Sequence, residues 1–525
     1  MPVLVGSEAA NTEAVDAQLS HIARSGVFNL LGAAVSAVFG FGLIVVVTQL
    51  YDQATAGMFF AASSAFLILL GAASLGTESG LARFMLRYEA TGRTADISQC
   101  LSVALRPVLL TSLVLALGTA LLAGQLAPLI GLDTPQGSLV LLMFALLLPV
   151  AAWGDFSLAG ARSFGTVRST VLIDKFLRTM LQPLSVWLAA LAGGGVLLLS
   201  AGWVAPYAIA GVVSVLIFRR MLRRRGIDHH TAPLNDRAMV RREFWGFTWP
   251  RGIARLCQIL LQRSDIILIA ALLSVQDAAL YTAATRFVAL GQFATQAIQQ
   301  VLQPRFSQLL AKGRHADAAD VFRISTAWSM AVAWPLYMVT GAAGGFYLMI
   351  FGAGYNVESA GAVVILMSIA MLAGVAAGPL DTLLLMAGGS RTSLWIALTT
   401  LAADIGLCLI LIPLWGIVGA AVAWGIAVLL KNLLTLERVK KLLAMDPFGW
   451  RSALVAVANV ACLGIPLLTL SLLQRTHLGE FFGVLAAGCA AYAFLLWLWR
   501  GKLRLPTLKT ILSRKDSPSP ERNEI

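Results

Sequence analysis

The chain has 525 residues, of which 58% are hydrophobic and only 12% charged, with a mean hydropathy of +0.81. Soluble globular domains carry about 25% charged residues, so this composition excludes a soluble enzyme or scaffold and predicts a polytopic membrane protein. A net charge of +13 would suit a nucleic-acid binder, but the basic residues are placed as membrane-orientation signals, so no nucleic-acid partner is expected.

Residues 1–25, with Glu8, Glu13 and Asp16, lack the basic-then-apolar order of a cleavable signal and read as a cytoplasmic tail. Apolar runs at 27–49, 57–77, 102–124, 137–160, 171–192 and 196–218 form a first six-helix lobe over 26–218. A basic cytoplasmic linker, 219–246, precedes a second six-helix lobe over 247–440, with runs at 247–273, 279–303, 325–350, 360–386, 393–413 and 417–436. Runs at 452–473 and 480–499 give two extra helices within 441–500, and 501–525 reads as a disordered cytoplasmic tail. The expected fold class is therefore all-α, with about fourteen transmembrane helices.

Loop charges set the orientation. Alternate loops carry Arg83, Arg87 and Arg93; Arg162 and Arg168; eight arginines between 219 and 242; Arg305, Lys312, Arg314 and Arg323; Arg391; and Arg438, Lys440 and Lys441. The intervening loops at 50–56, 125–136, 193–195, 274–278, 351–359 and 414–416 contain no Lys or Arg, and only Arg475 breaks the alternation. By the positive-inside rule both termini are cytoplasmic. The charge-free loops are too short for an extracytoplasmic catalytic domain. The sequence also has no phosphate loop, zinc spacing or nucleophile elbow, so neither catalytic residues, metal nor cofactor is expected. The five cysteines (100, 257, 408, 462, 489) have no CxxC spacing and read as small core residues.

Spans seven and eight concentrate polarity where apolar length is needed. An ionised group at bilayer depth costs about 2.5–3.5 kcal/mol on insertion scales, so such groups face a partner, a bundle interior or water. Arg251, Arg255, Gln258, Gln262 and Asp265 fall within about 40° of one line at 100° per residue. Thr285, Gln292, Gln296, Gln299 and Gln303 form a second such line. Two adjacent polar seams predict a wet cavity. The chain also aligns on itself at an offset of 223 residues, pairing Leu50 with Leu273, Ala56 with Ala279, Ala61 with Ala284 and Leu67 with Leu290. A nearby offset brings Asp155 opposite Asp381. Two parallel six-helix copies would bind substrate between them and alternate access by rocking.

The run ALYTAATRFVALGQFATQAIQQVLQPRFSQL, after the aspartate-bearing QRSDIILIAALLSVQD, resembles the eighth span of Wzx-like polysaccharide flippases. These belong to the multidrug/oligosaccharidyl-lipid/polysaccharide exporter superfamily. Pro304 closes the helix as in the family; Ala279-Leu280 replaces the family's glycine, which the first copy keeps as Gly57. The resemblance covers about residues 25–500. It implies flipping of an undecaprenyl-diphosphate-linked oligosaccharide across the bacterial inner membrane for exopolysaccharide, lipopolysaccharide or O-antigen synthesis. It also implies membrane lipids, a polysaccharide polymerase and chain-length proteins as partners. A multidrug/cation antiporter and a lipid II flippase of the same fold are the alternatives.

Under that reading Arg255, Arg263 and Arg286 are the candidates for a diphosphate, because guanidinium forks match phosphate oxygens. Arg263 lies about 18 Å beyond Arg251, near the midplane. The competing reading pairs Arg263 with Asp265 or another buried carboxylate as a helix lock. Arg251 reads as an interfacial snorkeller, and Arg178 opens the fifth span beside Asp174 and Lys175 as a further cavity candidate. Gln258, Gln262, Gln296 and Gln299 are candidates for sugar contacts, against a role as interhelical glue. Asp265, Asp381 and Asp404 are candidates for H⁺ or Na⁺ coupling, each with a structural ion pair as the alternative.

Overall fold

The computed structural model describes residues 31–164, 170–227, 237–443, 449–472 and 478–501. The tail 1–25, residues 502–525 of the second tail, Arg168, Arg475 and residues 228–236 of the basic linker lie outside the described residues. Among the described residues the regular structure is entirely helical.

The first bundle comprises α1 (Leu31–Leu50), α2 (Gln53–Ser74), α3 (Thr77–Ala90), α4 (Thr94–Leu121), α5 (Pro135–Ser163), α6 (Thr179–Leu191) and α7 (Val196–Arg224). A π-helix, Val171–Arg178, runs directly into α6. The second bundle comprises α8 (Arg237–Leu272), α9 (Val275–Ala311), α10 (His315–Ala342), α11 (Glu358–Ala376), α12 (Leu380–Met386) and α13 (Ser390–Leu443), the last broken at Gly416. The chain then continues through α14 (Trp450–Asn459), α15 (Ile465–Leu472) and α16 (Leu478–Leu498).

Nine of these helical segments are long and apolar enough to cross a membrane among the described residues. α8 and α9, with 36 and 37 residues, are long enough but not among the nine. Their arginines and glutamines dilute the apolar run, so the expectation of about fourteen rests on weaker runs here than elsewhere.

α5 packs against α4 and α7 in the first bundle, and α11 packs against α10 and α13 in the second. The first core is aromatic: Phe66 and Phe144 meet at 5.5 Å, and Trp203 lies 5.7 Å from both Phe59 and Phe66. α2 joins the bundles by packing on α8 and α9. Its start is capped by Asp52, whose carboxylate accepts from the Thr55 amide at 3.1 Å. Partial burial pushes this carboxyl up, but hydrogen bonds from Thr55 and its neighbours outweigh it and hold the group below the usual carboxylate range.

Two glycines set the approach of the bundles. A Cβ on Gly57 would run into the Val275 carbonyl at the start of α9, so only glycine lets α2 come this close. Leu75 and Gly76, with φ of 49° and 73°, make a left-handed elbow between α2 and α3 that rests on the backbone of Gly252. At the end carrying the charge-free loops, Gln49 donates to the Ile350 carbonyl at 2.8 Å and Gln53 to the Gly354 carbonyl at 2.7 Å. Phe41 closes on Phe351 at 5.5 Å beside them. This end is latched shut.

Candidate substrate-binding cleft

α8 stands between the two bundles and wets both of its faces. On one side Arg255, Arg263 and Gln262 meet Arg162, Arg178 and Tyr207 of the first bundle, around a space of about 1340 Å³ counted to its open mouth. On the other side Gln258 and Gln262 meet Gln292, Gln296 and Gln299 of α9, with Asp381, Lys431 and Asn432 opposite, around about 1110 Å³. A smaller compartment deeper in the cleft holds Gln262, Arg263, Asp265 and Arg286. The sequence line along α8 is therefore divided in space: Arg255, Gln258 and Gln262 are exposed to the cleft, whereas Asp265 is only 5% exposed. Arg263, about 120° off that line, still reaches water because α8 has a wet face on each side.

The first wall is cationic and preorganised. Arg178 closes the π-helix, a widened turn of the kind common at functional positions. Its guanidinium reaches Asp174 at 2.5 Å and lies 4.4 Å over the Tyr207 ring. Arg162 is held by Glu78 at 2.7 Å. Arg255 touches Gln258 Oε1 at 3.2 Å, and Arg286 donates from Nε to the Thr282 carbonyl at 3.1 Å. Neither of these two, nor Arg263, forms an ion pair with a carboxylate among the described residues. The lock between Arg263 and Asp265 considered from sequence is thus not formed. Guanidinium groups left with spare donors at a wet wall can accept an anion. Arg251 ends over the Phe247 ring at 5.7 Å, beside the Gly76–Gly252 contact.

The second wall is built from amides. Its charges cancel in place, since the Lys431 ammonium bonds to Asp381. Asp381 is therefore paired, the structural alternative noted for it above. Gln299 takes part in a contact with the Thr382 hydroxyl at 3.4 Å, and the other glutamines face the opening. Asp155 and Asp381, aligned by the internal repeat, each line the wall of their own bundle.

The remaining carboxyls lie behind the cleft. Asp265 accepts from the Tyr281 hydroxyl at 2.7 Å, while its Oδ1 has no partner. Asp404 is fully buried, neither of its oxygens has a partner, and it lies within electrostatic reach of Asp265. The two come together from α8 and the part of α13 before its Gly416 break, 139 residues apart by number (404 less 265). Sequence reading missed Lys431, Asn432, Tyr207 and Trp424 as cleft residues. Lys431 carried a usable signal, a lone cation inside an apolar run. The other three carried none.

The helical architecture and the polar cleft between its bundles define a multi-pass membrane protein of a transporter fold. Residues 59–359 match the family model described as "Polysaccharide biosynthesis protein", more than half of the chain, and the protein belongs to that family. No curated protein matches by sequence. Among solved structures, the chain is similar to a lipid II flippase MurJ in an inward closed conformation (TM-score 0.69, 13% identity, 91% of this chain and 99% of that one). It is also similar to an inward-facing multidrug resistance MATE family transporter (TM-score 0.58, 14% identity, 78% and 95%). A third is a MOP superfamily transporter from Pyrococcus furiosus (TM-score 0.55, 14% identity, 80% and 96%). These fold neighbours are flippases and transporters, not enzymes.

Proposed function

We propose that the protein flips an undecaprenyl-diphosphate-linked oligosaccharide across the bacterial inner membrane for surface polysaccharide synthesis, by alternating access of the cleft. The observation that carries this reading is the division of the cleft. Arg178, Arg255 and Arg263 supply cations on the first-bundle side and Arg286 in the deeper compartment, while Gln258, Gln296 and Gln299 supply neutral donors and acceptors on the other side of α8, with Gln262 reaching all three. A diphosphate needs the former and a sugar chain the latter. A carrier of cationic drugs would meet repulsion along the arginine wall, which weighs against the antiporter reading. Asp265 and Asp404 are the proposed coupling pair for H⁺ or Na⁺, because an unpartnered buried carboxyl calls for a proton or a cation. Asp381 is set aside from that role by Lys431.

Deletion of the gene tests the reading. The lipid-linked unit should accumulate on the cytoplasmic leaflet and surface polysaccharide should disappear. Normal polysaccharide in a deletant without a paralogue would overturn it. Rescue of a conditional lipid II flippase strain would instead assign lipid II as the cargo.

A further inference from the structure

A second basic pocket lies outside the cleft, between α4 and α8, lined by Ser102, Arg106, Pro107, Arg241 and Trp245. It shares no lining residue with the cleft compartments. Arg106 is exposed about 15 Å along α4 from Asp96, inside an apolar span. The exposed face of α4 continues from it as Leu110, Leu113, Val114, Leu117 and Leu121, at i+4, i+7, i+8, i+11 and i+15. Arg106 therefore heads the face that α4 turns to lipid. On α8, Arg241, Trp245 and Trp249 follow at i, i+4 and i+8, and exposed tryptophan marks the headgroup level. Neither arginine forms an ion pair among the described residues. The nearest acidic group in sequence, Glu243, turns to Arg87 at 3.8 Å.

An exposed arginine inside an apolar span is costly unless an anion meets it there. At headgroup depth on a lipid-facing surface, the anion available is a lipid phosphate, and basic pockets between helices on the cytoplasmic side hold acidic headgroups. We infer that Arg106 and Arg241 form a binding site for the headgroup of an anionic phospholipid, seated beside Trp245 on the outer face of the α4–α8 junction. The separation from the cleft argues for a resident phospholipid over the carrier lipid of the substrate. α8 also forms the central wall of the cleft, so an occupied site would tie that wall to the composition of the membrane.

The full chain would be reconstituted in phosphatidylcholine nanodiscs doped with phosphatidylglycerol, and retained lipids counted by native mass spectrometry. Replacing both arginines (Arg106→Gln with Arg241→Gln) should lower the preference for phosphatidylglycerol roughly 30-fold, as expected for two interfacial arginines. The double Lys variant should keep most of it, and Arg220→Gln, an exposed arginine elsewhere on α7, should leave it unchanged. If the double Gln variant does not fold, Arg241→Gln alone should cost roughly 5-fold. An undiminished preference in the Gln variants, or an equal loss in Arg220→Gln, would overturn the site. Stoichiometric displacement of phosphatidylglycerol by undecaprenyl phosphate would overturn the phospholipid assignment in favour of the substrate carrier.

Discussion

The two walls of the cleft have opposite characters. The wall toward the first bundle holds Arg178 in place with a π-turn, a carboxylate and an aromatic ring, and faces Arg255 and Arg263 of α8, which have no ion pair among the described residues. The second-bundle wall cancels its charges within itself, through Lys431 and Asp381, and presents amides. Under the proposed function, that asymmetry suits a ligand with an ionic head and a neutral body.

The asymmetry can be broken from either side. The largest effects are expected at Arg255, Arg263 and Arg286, the cleft arginines without ion pairs. Alanine at any of them removes a charge-assisted hydrogen bond worth about 1.5–3 kcal/mol, so translocation in a reconstituted flipping assay should fall roughly 10- to 150-fold. Lys at Arg255 or Arg286 should restore part of it. Full flipping by the alanine variants at normal expression would remove the arginine wall from the mechanism. Asp404→Asn should leave binding of the lipid-linked substrate intact while abolishing the dependence of flipping on a proton or sodium gradient; retained dependence would sink the coupling pair.

A packing test addresses the junction between the walls. Gly57→Val forces a side chain against the Val275 carbonyl, an overpacking that costs about 1–3 kcal/mol, read as a lower melting temperature in detergent. Smaller again, Gln258→Ala or Gln296→Ala should each weaken binding of the full glycolipid by about 0.5–1.5 kcal/mol while leaving the bare undecaprenyl diphosphate unaffected. Equal losses for both ligands would erase the distinction between the walls.

Much of this arrangement was legible in the chain, because helical periodicity survives folding. The seams on α8 and α9 fall at the cleft, and Gly57, noted in the sequence only as the glycine the first copy keeps, is where the Val275 carbonyl comes closest to α2. What could not be read is where one helix serves two neighbours. A single line along α8 predicted one wet face, with Arg263 about 120° off it; the first bundle, packed against α8, supplies the second. Asp265 shared the line with Arg255 yet is buried, since depth along a helix changes its surroundings as much as angle does. Lys431, Tyr207 and Asp404 met their surroundings only through contacts distant in sequence.

If the molecule alternates access as proposed, the Gln49 and Gln53 latch bears on how it shares its time between shapes. Both hydrogen bonds are exposed and both end on backbone carbonyls, so water competes for every partner. Together they contribute about 1–3 kcal/mol to the shut shape, a factor of roughly 5 to 150 in the ratio of shut to open populations. A cargo or a cation that favours the open shape by that margin brings the two to parity, and one that favours it by twice the margin reverses the ratio. The closed end thus works as a counterweight, light enough for a single binding event to lift.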